Sequence, residues 1–120
     1  MNHGKALGVK ALLVLPVMWI VLTLLNDISF VTSTLLGIIL LLLAYFTGDM
    51  MVLPRMGNIA ATVGDFVLSF LVIWMGLNMA GYDDVAGEAF ATALVIAAGE
   101  YFYHKWLMKE EIPQHRQDTT

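Results

Sequence analysis

The chain has 120 residues, of which 59% are hydrophobic and 13% charged, and its mean hydropathy is +0.78. That leaves too little polar surface for a water-soluble domain, so the composition indicates a one-domain integral membrane protein. The net charge of −4 comes mainly from turns and tail and implies no nucleic-acid partner, while the lack of Cys excludes disulfides, thiolate metal sites and thiol catalysis together.

Four apolar stretches, near residues 5–25, 28–46, 59–79 and 85–107, alternate with short polar breaks. Each is close to the ~20 residues that a helix needs to cross ~30 Å of hydrocarbon. Because the stretches are continuous rather than alternating, a membrane β-barrel is excluded. The expected fold class is all-α: an integral membrane four-helix bundle running up-down-up-down. Residues 1–108 form the transmembrane domain, and residues 109–120 form a disordered cytoplasmic tail.

The first stretch follows Lys5 and outlasts the apolar core of a signal peptide, so it reads as an uncleaved helix that also acts as a signal anchor. The second is an unbroken bulky run from Ile38 to Leu43 and is expected to face lipid most. The connection from Thr47 to Asn58 mixes Gly48, Asp49, Pro54, Arg55 and Gly57 with apolar Met50, Met51, Val52 and Leu53. That mixture predicts a segment lying at the membrane interface, with Pro54 ending any continuing helix. The third stretch opens with Ala60 and Gly64, and the fourth carries Ala89, Ala93 and Ala97 beside a second row of Gly87 and Ala91. Such small residues allow close helix approach and predict internal faces.

The six basic residues Lys5, Lys10, Arg55, Lys105, Lys109 and Arg116 all fall on one side of this weave. The other two connections carry only Asp27, Asp83 and Asp84. The positive-inside rule therefore places both termini and the middle connection in the cytoplasm, giving a multi-pass protein of the cell (inner) membrane.

Charge within a membrane span calls for an explanation. Asp65 and Glu100 lie at similar depth on the inner side, with Lys10 at a comparable level. Together with Asp49, Arg55, Asn58 and His104 they form the candidate polar cluster. In one reading the carboxylates pair with Lys10, Arg55 or Asn58 and fasten the bundle. In the other, one carboxylate stays partly unpaired and binds a cation or relays a proton. His104 follows Glu100 by one helical turn, an interfacial position where water is the expected partner. His3, His104 and His115 do not converge by sequence position, so no metal ligand and no cofactor is expected. The chain also lacks a nucleophile with an adjacent base, so no catalytic residue and no enzyme activity is expected.

The block GDMMVLPRMGNIAATVGD, from Gly48 to Asp65, resembles the YndM-like family of small four-helix membrane proteins found in Bacillus and related bacteria. The matching positions are Gly48-Asp49, Val52-Leu53-Pro54-Arg55, Gly57-Asn58 and Asp65. The resemblance implies a fold and no activity. It also suggests that the middle connection and Asp65 act as one unit, with a charge-assisted Arg55–Asp65 contact. The leading functional expectation is a structural or regulatory role through contacts with another membrane component. The alternative is ion or solute permeation by a homo-oligomer centred on Asp65 and Glu100. The expected partners are thus the lipid bilayer and either a second copy or another membrane protein.

Overall fold

The structure, a computed structural model, describes the backbone of residues 3–119 and the side chains of residues 3–109. Among these residues all regular structure is helical. Helix α1 (His3–Met18) continues into a π-helical segment, Trp19–Leu24, and α2 (Phe30–Ala44) continues into another, Tyr45–Val52. Helices α3 (Leu53–Met79) and α4 (Ala86–Thr119) follow.

Helical backbone covers three stretches, 3–26, 30–79 and 86–119, the second kinked at Gly57, where four helices separated by open connections were expected. The difference lies in the middle connection, which stays helical instead of forming an interfacial loop. Thr47 Oγ1 donates to the Leu43 carbonyl at 2.6 Å, a local bond that competes with the backbone ladder and suits a widened turn. Pro54 sits in the first turn of α3, where its missing N–H leaves no bond unmade. The break comes at Gly57, with φ 90° and ψ 178°, a conformation open to Gly and closed to most other residues. Past residue 107 the backbone of α4 continues helically to Thr119, in keeping with the Glu, Lys, Gln and Arg content of that segment.

The turns before α2 and α4 place Asp27 (φ 58°) and Asp84 (φ 55°) in the left-handed region, which Asp tolerates better than most residues. Ser29 caps α2, its Oγ accepting from the Thr32 N–H at 3.1 Å. The Ser29 N–H donates to the Tyr82 hydroxyl at 3.0 Å, which ties the two turns together.

Helix α1 packs on α2 and α4, and α3 packs on α2 and α4. The inward stripes repeat every fourth residue: Ala6, Lys10, Val14 and Met18 on α1, and Ala61, Asp65, Ser69, Ile73 and Leu77 on α3. On α4, Ala89, Ala93 and Ala97 are buried as expected. Gly64, Gly87 and Ala91 instead face outward, and Ala61 rather than Ala60 is the buried small residue of α3. A stripe drawn from a helix's opening residues inherits any error in helical phase, and Gly57 sets that phase here.

The buried apolar residues form two clusters. One gathers Met18, Leu22, Leu40, Ile73 and Leu77, and the other Ala6, Tyr45, Leu53, Ala61 and Tyr103. Along α1, α3 and α4 the residues between these clusters are Lys10, Asp65 and Glu100. The outside is apolar: Leu12, Leu24, Leu25, Phe30, Val31 and Phe102 are among many large exposed hydrophobic side chains, while Lys10, Asp49, Asp65, Glu100 and His104 are buried. Charged side chains inside and a largely apolar outside depart from the pattern of soluble proteins and suit a lipid environment. Among the described residues two stretches, His3–Leu24 and Phe30–Met79, are long and apolar enough to cross a membrane, each with a hydropathy of 2.2. In α4 the polar residues Glu88, Glu100, His104 and Lys105 dilute the apolar character.

Candidate functional site

The four-residue stripe of α1 carries Lys10 inward between Ala6 and Val14, and a Lys in that position must find acid partners or remain an unpaired buried charge. Its Nζ lies 2.8 and 2.7 Å from the two Glu100 carboxylate oxygens and 3.0 Å from Asp49 Oδ2. It also stands over the Tyr103 ring, 4.8 Å from the centroid. Tyr103 donates its hydroxyl to the Ala6 carbonyl at 3.1 Å, which fixes that ring against α1.

Asp49 reaches the core because the middle connection stays helical. With more than four residues per turn, Tyr45 and Asp49 share its buried face, and Leu53 continues that face at the start of α3. Gly48 is required beside it. A Cβ built at residue 48 would stand 2.5 Å from Asp65 Oδ1, so only Gly lets the Asp65 carboxylate lie against this backbone.

His104 joins the two halves of the cluster. Its Nε2 is 3.0 Å from Asp49 Oδ1, 3.1 Å from Asp65 Oδ2 and 3.4 Å from Glu100 Oε2. On the other side of the ring, Nδ1 is 2.9 Å from Asn58 Oδ1. The Asn58 amide donates from Nδ2 to the Tyr101 carbonyl at 3.1 Å, and the Thr62 hydroxyl donates to Asn58 Oδ1 at 3.1 Å. Those two bonds orient the amide, so His104 Nδ1 carries a hydrogen and donates it. In the neutral ring Nε2 would then present a lone pair to three carboxylate oxygens. The geometry therefore requires a proton or a cation between Nε2 and these oxygens, carried by the ring, by one of the carboxyl groups or by a bound ion.

The five charged side chains come from α1, the π-helical segment after α2, α3 and α4, and each is 2% exposed or less. Three carboxylates face Lys10 and His104, so with all five groups ionised one negative charge remains. Asp65 Oδ2 is buried without a hydrogen-bond donor, because the single Nε2–H is directed at Asp49. Asp49 Oδ2 meets Lys10 as an ion pair whose geometry is not that of a hydrogen bond. Ser69, one turn beyond Asp65 on α3, also has a buried, unpartnered hydroxyl.

A family described as a protein of unknown function (DUF2512) matches residues 1–120. The chain belongs to the DUF2512 family. It is 32% identical over 117 residues to the uncharacterized membrane protein YndM of Bacillus subtilis (strain 168), which covers 96% of this chain. The chain spans 65% of the length of that relative. No solved structure matches it. The DUF2512 chain is thus a helical membrane protein of unknown function.

Of the polar residues singled out in this DUF2512 chain from sequence, Lys10, Asp49, Asn58, Asp65, Glu100 and His104 come together. Arg55 does not. It is exposed on the turn between Pro54 and Gly57, and the partner of Asp65 is His104. The expected Arg55–Asp65 contact fails because Gly57 reorients the chain between the two residues. His104 is fully buried rather than interfacial, since the inward face of α4 continues from Ala97 through Glu100 to His104. Thr62 and the Tyr101 carbonyl were missed. The spacing of Thr62 from Asn58, one turn on the same face, was the available signal for the first, whereas a backbone carbonyl leaves no trace in sequence.

Proposed function

We propose that this chain is a multi-pass protein of the cell membrane whose buried charge cluster binds a cation and serves its movement across the bilayer. Its four helices run up-down-up-down, with both termini and the Gly57 turn on the cytoplasmic side. Contacts of His3 with Tyr45 and of Lys5 with the Trp106 ring support this arrangement, bringing the N-terminus, the middle connection and the far part of α4 to one end. Arg55 lies in that same middle connection, as the positive-inside rule requires.

The observation that carries the reading is the mismatch between three buried carboxylates and two buried bases. A cluster that only fastened helices would be balanced, and a well-packed apolar core does that work as well or better. A surplus negative charge held among four helical segments suits a site that takes up and releases a positive ion. Transport by such a small chain calls for two or more copies around one path. The test is proton and cation flux in proteoliposomes, comparing the wild type with a Glu100→Gln, Asp65→Asn variant whose circular dichroism shows it folded. Flux lost in the variant supports the reading. Equal flux in both, or none in either, refutes it.

A second reading, contact with another membrane component, draws support from an apolar groove of about 330 Å³ lined by Leu35, Leu36, Ile39, Gly76 and Met79. Cross-linking from an Ile39→Cys variant in native membranes tests it. A discrete adduct supports that role, and its absence removes the groove as a contact surface.

A further inference from the structure

We infer that Asp49, Asp65, Glu100 and His104 form a binding site for one divalent transition-metal ion, with Lys10 and Asn58 as its outer partners. The inference deepens the cation-site reading and rests on it. Each of the four residues offers one ligand atom, and all four atoms lie within 4.8 Å of one another. From His104 Nε2 the three carboxylate oxygens stand at 3.0, 3.1 and 3.4 Å. Ligands ~2.1 Å from a tetrahedral ion stand roughly 3.4 Å apart, so little movement is needed to accept one.

Three further observations point to a metal and not merely to clustered acids. Asp65 Oδ2 is buried, aimed into the cluster and without a donor. His104 Nδ1 is committed to Asn58 Oδ1, the outer hydrogen bond that leaves Nε2 free as a ligand and fixes the ring's orientation. Charge supplies the third. A divalent ion together with the Lys10 ammonium balances three carboxylates beside a neutral imidazole, so the buried cluster becomes neutral. Asp49 Oδ2 faces Lys10 and leaves Oδ1 for the metal, whereas Glu100 meets Lys10 through both oxygens and would share Oε2 between the ammonium and the ion. One imidazole with three carboxylates and no thiolate selects Zn²⁺, Mn²⁺, Fe²⁺ or Co²⁺ over soft ions, and the imidazole disfavours Mg²⁺ and Ca²⁺.

The experiment titrates Co²⁺, and then Zn²⁺ in competition, into chelator-treated full-length protein in nanodiscs. The visible absorption of Co²⁺ reports coordination geometry and calorimetry reports stoichiometry. One ion per chain is expected, with the intense visible bands of a four-coordinate site. Binding should weaken by more than ~100-fold in Asp65→Asn and in His104→Gln, and by ~10–100-fold in Asn58→Ala, where only the outer hydrogen bond is lost. It should survive in a His3→Ala, His115→Ala variant. Absence of stoichiometric binding by the wild type overturns the inference whether or not any variant folds. So does binding that persists in Asp65→Asn and His104→Gln, or that disappears with His3 and His115. Carboxylate-dependent proton flux without metal binding would sink this inference and leave the broader cation-site reading standing.

Discussion

Replacing Lys10 by Met tests the charge cluster at its centre. The substitution keeps the length of the side chain and its packing between Ala6 and Val14 while removing the ammonium. Three contacts of 2.7, 2.8 and 3.0 Å are lost, and Glu100 and Asp49, both buried, lose their cation. Breaking a buried pair from one side costs ~3–5 kcal/mol, mostly the penalty of the charge left behind. At 1.4 kcal/mol per decade that is roughly a hundredfold to a few thousandfold in the unfolding equilibrium. Adding Glu100→Gln removes one stranded charge, so the double variant should be more stable than the sum of the two losses by about 1–3 kcal/mol. The assay is unfolding in mixed detergent micelles with rising dodecyl sulfate, followed by Trp fluorescence and far-ultraviolet circular dichroism. Additivity within ~0.5 kcal/mol would show that Lys10 and Glu100 do not depend on each other. That result would refute both the pairing and the charge accounting built on it.

Gly48→Ala should destabilise by ~1–3 kcal/mol in the same assay, because its Cβ meets the Asp65 carboxylate at 2.5 Å. Gly64→Ala has open space around it and should be neutral or stabilising by up to ~1 kcal/mol; equal effects at the two positions would remove the close-approach argument. Arg55→Gln should stay within ~0.5 kcal/mol of the wild type, since Arg55 is exposed, whereas Asp65→Asn should change stability measurably. A loss with Arg55→Gln that is suppressed in the double variant would restore the Arg55–Asp65 pair. A reporter active only in the cytoplasm, fused after Thr120, should be active, and an inactive fusion would overturn the proposed orientation.

Part of the candidate site is legible in the sequence. Lys10, Asp65 and Glu100 stand out because charge inside an apolar stretch is expensive wherever it falls. That Glu100 and His104 share a face is also visible, since they are four residues apart on one helix, but the partner expected for His104 was water at the interface and not the buried cluster. Asp49 is harder, because it lies in a segment whose composition reads as an interfacial turn. Only the helical path of Tyr45–Val52, in place of a loop, carries it inward. The expected partner of Asp65 was wrong for a related reason: nearness in sequence favoured Arg55, and the break at Gly57 turns Arg55 away.

By itself the sequence determined that this is a helical membrane protein with costly charges at particular depths. Hydropathy and the absence of strand alternation are sums along the chain, and no folding step changes them. The tertiary structure alone decided which charges meet. Each residue inserted into a helical turn rotates the remainder of the helix by ~100°, so two π-helical segments and one left-handed glycine set the phase of every later inward face. Partner choice among Lys10, Asp49, Asp65, Glu100 and His104 depends on that phase, which local sequence patterns do not encode.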